Sequence, residues 1–146
     1  MKATYRVLAI LIPVLVAVQA AAIAAGTFDV LHSVDDGRPY TESAGQNPGQ
    51  MVHSLGAMAV AVVGLLLLVV SLFAKIEGGV KWAGFVFLSV VFQWVVAIVA
   101  FGAPVVGALH GLNALLLFGL GMSAAAAATR SMRGVAAPAR TASAHV

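Results

Sequence analysis

Four long apolar runs constrain the fold of this chain more than any other feature. They lie at residues 7–25, 51–74, 80–101 and 105–128. Each has the roughly 20 residues that a helix needs to cross a hydrocarbon layer about 30 Å thick, in which every backbone polar group must be paired within the segment. The sequence therefore predicts an all-α integral membrane protein with four transmembrane helices.

The composition supports the same class. Of the 146 residues, 62% are hydrophobic and only 9% are charged, which is too little charge for the surface of a soluble domain. The length suits one helical domain, predicted at 1–129, followed by a polar tail at 130–146 that is predicted to be disordered because it lacks apolar periodicity. The absence of cysteine excludes disulfides, iron–sulfur clusters and thiolate ligands.

The connections between the runs predict the order of the helices. Short second and third connections force neighbouring helices to be antiparallel, which predicts an up-down-up-down bundle. Only the first connection, 26–50, is long, and it ends at Asn47 and Pro48, residues typical of a helix cap and a first helical position.

The basic residues mark the orientation in the membrane. All eight lie outside the cores of the apolar runs, and Arg38 is the only one on the side of the first connection. The other seven lie on the opposite side: Lys2, Arg6, Lys75, Lys81, Arg130, Arg133 and Arg140. The positive-inside rule then places both termini in the cytoplasm and residues 26–50 outside, and it leaves no basic patch that indicates nucleic-acid binding. The first run also resembles a signal peptide. We expect it to be retained as the first helix, because the charge pattern is consistent only when this helix is intact.

Amide and imidazole side chains are few within the spans, and they all lie near the outer ends. They are Gln19, His53, Gln93, His110 and Asn113, all within about 12 Å of the outer surface at 1.5 Å per residue. Because polar groups in a membrane are costly, they usually point into the bundle. We therefore expect one polar cluster to which all four helices contribute.

The two histidines suggest a haem site. Helices 2 and 4 occupy diagonal corners of an up-and-down bundle, so His53 and His110 can approach from opposite sides, as the axial ligands of a six-coordinate haem b do. Gly56 and Gly111 would leave width for the macrocycle, although small residues are equally normal in packed membrane helices. Arg38 is the one outer basic residue that could pair with haem propionates.

A structural interpretation of the same residues is also open. A membrane histidine can simply face the headgroups, and Arg38 can be a solvated loop residue. Gln19, Gln93 and Asn113 can serve as interhelical hydrogen-bonding groups, each worth about 0.6 kcal/mol, or they can orient the histidines of a metal site.

Several of these residues also carry a family resemblance. The pattern consists of Gln19, GTFD at 26–29, His53 with Gly56, Gln93, and LHGLNAL at 109–115. It resembles a family of small four-helix membrane proteins common in actinobacteria, the domain of unknown function family numbered 6220. That resemblance implies the fold and a bacterial plasma membrane location, but no activity.

A more distant resemblance is to one four-helix half of haem A synthase. It implies haem held by His53 and His110. Two departures weaken the likeness to the synthase reaction: Gly49 stands where that family has a glutamate, and the outer loop has no cysteine pair. One half also offers one haem site, whereas the reaction needs two haems.

Three functional classes follow from these observations. The first is a b-type haem protein for electron transfer or haem handling, in the lipid bilayer with a membrane redox partner or a second copy of itself. The second is a structural or accessory subunit without a cofactor, and the third is a quinone-binding or other small-molecule-binding membrane protein. No nucleophile–base pair, phosphate loop or carboxylate dyad is visible, so the sequence gives no sign of an enzyme acting alone.

The charge pattern yields a direct test of orientation. A reporter enzyme fused after Val146 should be active when it is of a type that works only in the cytoplasm, and silent when it is of a type that works only outside the cell. The opposite pair of activities would contradict the assignment of the termini.

Overall fold

The computed structural model describes residues 1–38 and 47–136. Within these ranges the chain forms four long helices, one short 3-10 turn and no strand. The elements are α1 (Lys2–Asp35), α2 (Pro48–Ala74), α3 (Gly79–Gly102), a 3-10 turn (Pro104–Val106) and α4 (Gly107–Ala136). All four helices are long and apolar enough to cross a membrane, so the predicted class of four transmembrane helices is confirmed.

The four helices pack in a ring. Each helix contacts the next along the chain, and α1 also packs extensively against α4. This arrangement leaves α1 diagonal to α3 and α2 diagonal to α4. We call the end of the bundle at which α1 ends and α2 begins the histidine end.

Two helices are longer than their apolar runs. α1 continues to Asp35, so the connection predicted at 26–50 starts with further helical turns, and α4 continues to Ala136, so the first residues of the tail predicted at 130–146 are helical. Once a helix is nucleated, each added residue gains a hydrogen bond at little cost, and alanine favours this most. Residues 137–146 lie outside the described part of the chain.

Side chains on the outer surface of the bundle suit contact with lipid. Leu72, Leu88 and Leu112 expose 61%, 63% and 63% of their surface, and they lie on three different helices. A soluble protein rarely exposes apolar surface so extensively. The buried core is a narrow column whose largest fully buried side chains are Tyr5, Ile12, Leu67, Val86 and Leu117.

The backbones of α1 and α2 touch at the histidine end. A Cβ atom on Gly49 would lie 2.7 Å from the Cα of Gly26, so the crossing requires glycine. Asn47 fixes the same corner, because its side chain accepts a hydrogen bond from the Gln50 N–H at 3.1 Å and donates to the Gly26 carbonyl at 3.2 Å and to Asp29 at 2.6 Å. The predicted cap at Asn47 is confirmed.

The opposite end is closed by hydrogen bonds to main-chain carbonyls. The buried Tyr5 hydroxyl of α1 donates to the Gly79 carbonyl at the start of α3, at 2.8 Å. The Lys2 ammonium group lies 3.5 Å from the Ser131 carbonyl of α4. α1 is thus held to the other helices at both of its ends.

The close crossing of α1 and α2 predicts a large effect of one methyl group. Gly49→Ala should destabilise the protein by about 1–3 kcal/mol, because the methyl group would overlap the backbone of α1. Unfolding in mixed detergent micelles, followed by circular dichroism, measures the change. The matched control is Gly84→Ala, also within a helix but with no atom within 4 Å of the added group. Equal stability of the two variants would contradict the proposed backbone contact.

Candidate functional site

His53 and His110 meet across the diagonal of the bundle. His53 lies in the second turn of α2 and His110 in the first turn of α4, and their ring centroids are 6.1 Å apart with an angle of 62° between the ring planes. The expected approach of the two imidazoles from opposite corners is therefore observed. Both rings are partly buried.

Each ring is oriented by a carbonyl group on a neighbouring helix. Nδ1 of His53 lies 3.1 Å from the Gln19 carbonyl oxygen of α1, and Nδ1 of His110 lies 3.2 Å from the Gln93 carbonyl oxygen of α3. A carbonyl oxygen only accepts, so both Nδ1 atoms carry the proton and donate. No side chain or carbonyl in residues 1–38 and 47–136 hydrogen-bonds to either Nε2 atom.

Each glutamine side chain also donates a hydrogen bond to a backbone carbonyl of the helix that carries the histidine. The Gln93 amide donates to the His110 carbonyl at 3.0 Å, and the Gln19 amide donates to the Val52 carbonyl, next to His53, at 3.4 Å. The α1–α2 pair and the α3–α4 pair thus carry the same glutamine–histidine arrangement. This repeat is not visible in the sequence, because the partners are 34 residues apart in one pair and 17 in the other.

Asn113 and Ser89 extend the arrangement on the α3–α4 side. The Asn113 amide donates to the Ser89 carbonyl at 2.9 Å and to the Gln93 side-chain oxygen at 2.5 Å, and it accepts from the Ser89 hydroxyl at 2.9 Å. Both Asn113 and Ser89 are buried. Ser89 was not predicted as part of the cluster, although its position four residues before Gln93 places it on the same helical face.

The α1–α2 side lacks this extension. Gly56 stands three residues after His53, as Asn113 does after His110, and the Gln19 amide packs directly against Gly56. The side-chain oxygen of Gln19 is buried and has no hydrogen-bond partner among the described residues. Gly56 was expected to leave width for a macrocycle, but it makes room for the Gln19 amide instead.

Two cavities adjoin the histidine pair. The larger has a volume of about 480 Å³ and the smaller about 240 Å³, and side chains from all four helices line each of them. His53, Gln93, His110 and Trp94 line both, while Gln19 and Gly111 line only the smaller one. A Cβ atom on Gly111 would meet nothing within 4 Å, so this glycine does border open space, as expected.

Arg38 lies away from this cluster. Its side chain is exposed and forms an ion pair with Asp36 at 2.9 Å, just beyond the end of α1. His32 is likewise exposed and lies 3.7 Å from Asp36. The structure thus brings together Gln19, His53, Gln93, His110 and Asn113, and it leaves Arg38 outside.

The ligand set of the cluster is limited to two imidazoles. No group of three or more His, Cys, Asp or Glu side chains that could hold a metal ion occurs in the part of the chain that the structure describes. A pair of imidazoles suits a metal whose remaining positions are filled by its own organic ligand, as in a six-coordinate haem.

The comparisons with known proteins found no relative of this chain. No protein-family model, curated protein or solved structure matches this chain. The resemblances to the family numbered 6220 and to haem A synthase therefore stay predictions.

The hydrogen bonds of Asn113 predict its contribution to stability. Asn113→Ala should lower the free energy of unfolding by roughly 1–3 kcal/mol, because it leaves the partly buried Gln93 oxygen and the buried Ser89 hydroxyl without their partner. Ser123→Ala is the control, since the exposed Ser123 hydroxyl bonds only to the Gly119 carbonyl of its own helix. Unfolding in detergent should separate the two variants, and an Asn113→Ala protein as stable as the control would show that the network contributes nothing.

Proposed function

We propose that this four-helix membrane protein binds one b-type haem through His53 and His110, and that it uses the haem for electron transfer or haem handling. The observation that carries this proposal is the pair of imidazoles that meet across the bundle, each with Nδ1–H bonded to a carbonyl group and Nε2 free. The other polar residues of the cluster position these two rings.

The separation of the rings is compatible with axial ligation. A metal–imidazole bond is about 2 Å long and a ring nitrogen lies roughly 1 Å from the ring centre, so two axial imidazoles have centroids about 6 Å apart. The observed distance is 6.1 Å. In a bis-imidazole complex each ring plane would contain its bond to the metal and could rotate about it, so the observed angle of 62° is compatible with ligation.

The hydrogen bonds of the rings support the same role. An Nδ1–H bond to a backbone carbonyl fixes the tautomer that presents Nε2 as a metal ligand. Here the bonds come from Gln19 of α1 and Gln93 of α3, so the two helices that carry no histidine orient the rings.

The surroundings of the pair suit a flat, largely apolar group. Ligand sites are typically cavities of about 300–1,000 Å³ lined mainly by apolar and aromatic side chains, with few polar groups. The larger cavity has about 480 Å³ and includes Trp94, Ile98 and Phe101 in its lining. When bound, the haem would supply one-electron redox chemistry, and the apolar lining would keep water from its iron.

A purely structural role explains less of the geometry. In that role the polar side chains would satisfy one another, as Gln93, Asn113 and Ser89 do. The free Nε2 atoms and the unpaired Gln19 oxygen are not explained in this way. They favour a bound group over helix association alone.

A haem assay tests the proposal. Protein purified from haem-replete cells should contain one haem per chain by the pyridine haemochrome method and show a low-spin Soret spectrum. His53→Ala and His110→Ala should each lower haem occupancy or change the spin state. His32→Ala is the control, because His32 is exposed at the end of α1 and should leave the spectrum unchanged.

Two results would contradict the haem site. One is the absence of haem from a folded, monodisperse wild-type preparation. The other is an unchanged low-spin spectrum in both His53→Ala and His110→Ala. Either result would favour the structural or quinone-binding alternatives.

A further inference from the structure

We infer that the two histidines are unequal ligands: His110 is fixed, and His53 is the one that leaves to let a small neutral diatomic molecule bind in its place. This inference rests on the proposed haem site. It would add ligand binding at the metal to the electron transfer or haem handling proposed above.

On the α3–α4 side, every polar group next to His110 has a partner. The Gln93 amide donates to the His110 carbonyl and accepts from Asn113, and Asn113 is in turn paired twice with Ser89. Movement of His110 or of its helix segment would break several of these buried bonds together. The network therefore opposes displacement of the His110 ring.

On the α1–α2 side, the corresponding positions carry no polar partner. Gly56 takes the place of Asn113, and Leu15, four residues before Gln19, takes the place of Ser89. The Gln19 amide keeps one long bond of 3.4 Å, and among the described residues its buried oxygen has no partner. Each imidazole makes one hydrogen bond to a glutamine carbonyl, so the two sides differ in how firmly that glutamine is held: Gln93 is held by Asn113, and Gln19 is not.

The unpaired Gln19 oxygen also favours a rearrangement. A buried acceptor without a donor is unfavourable in an apolar environment, so a movement that gives it one lowers the free energy. The Asn47 contacts fix the start of α2, which confines that movement to the His53 and Gln19 side chains.

The exchange is a simple substitution at the metal. With the haem bound, His53 would withdraw the electron pair of its Nε2 atom, and the incoming molecule would supply its own pair in that place. No electron or proton is transferred. Among the described residues, no Lys, Arg, Asp or Glu lines either cavity, so the site suits a small neutral ligand rather than an ion.

Carbon monoxide added to the dithionite-reduced holoprotein tests this inequality. His53→Ala should keep its haem in a five-coordinate form and bind carbon monoxide immediately, whereas His110→Ala should retain about tenfold less haem. The wild type should bind carbon monoxide at a rate that saturates with its concentration, since departure of His53 limits the rate.

A matched pair of milder variants tests the inference if an alanine variant fails to fold. Gln19→Leu should raise the limiting rate of carbon monoxide binding by about tenfold, because it removes the amide beside His53. Gln93→Leu should speed haem loss without raising that rate. Equal effects of the two variants, or the reverse order, would overturn the inequality.

The outcomes separate this inference from the proposed function. Wild-type protein without haem would overturn both. Haem that is present but unreactive toward carbon monoxide, or that is lost from His53→Ala and kept in His110→Ala, would overturn only the assignment of His53 as the exchangeable ligand.

Discussion

The histidine end of the bundle depends on one constraint: in hydrocarbon, a polar side chain must find its partner within the protein. Gln19 and Gln93 meet this constraint by bonding to backbone carbonyls of the adjacent helix, while His53 and His110 bond back to the glutamine carbonyls. These reciprocal bonds fix the position of each helix along the bundle axis relative to its partner in the pair. They also turn the two imidazoles toward each other, so helix packing and the geometry of the candidate site have the same cause.

Much of this arrangement could be predicted from the sequence because membrane rules are strict. Apolar length predicts the four helices, short connections predict their order, and the rarity of polar residues in the spans identifies the cluster. The ends of α1 and α4 could not be placed, because beyond the membrane neither hydrophobicity nor a strong stop signal marks where a helix ends. Ser89 was missed because a serine in a membrane helix is common, and only its contact with Asn113 distinguishes it.

The role of Gly56 shows a different limit of sequence reasoning. A glycine near a histidine predicts free space, but which group fills that space depends on the neighbouring helix. Here the Gln19 amide fills it, whereas the space beside Gly111 stays open and borders a cavity. Two glycines that look equivalent in the sequence therefore have different neighbours. As a result, the α1–α2 pair and the α3–α4 pair surround the two histidines differently.

At the histidine end, the helices extend to unequal distances beyond the polar cluster, and α1 extends far. From Gln19 to Asp35 the helix rises about 24 Å, whereas His110 lies only about 5 Å from the first residue of α4. The larger cavity reaches this low side through Phe101 and Gly107. Among the described residues, the turn that joins α3 to α4 therefore lies much closer to His110 along the bundle than the end of α1 lies to Gln19.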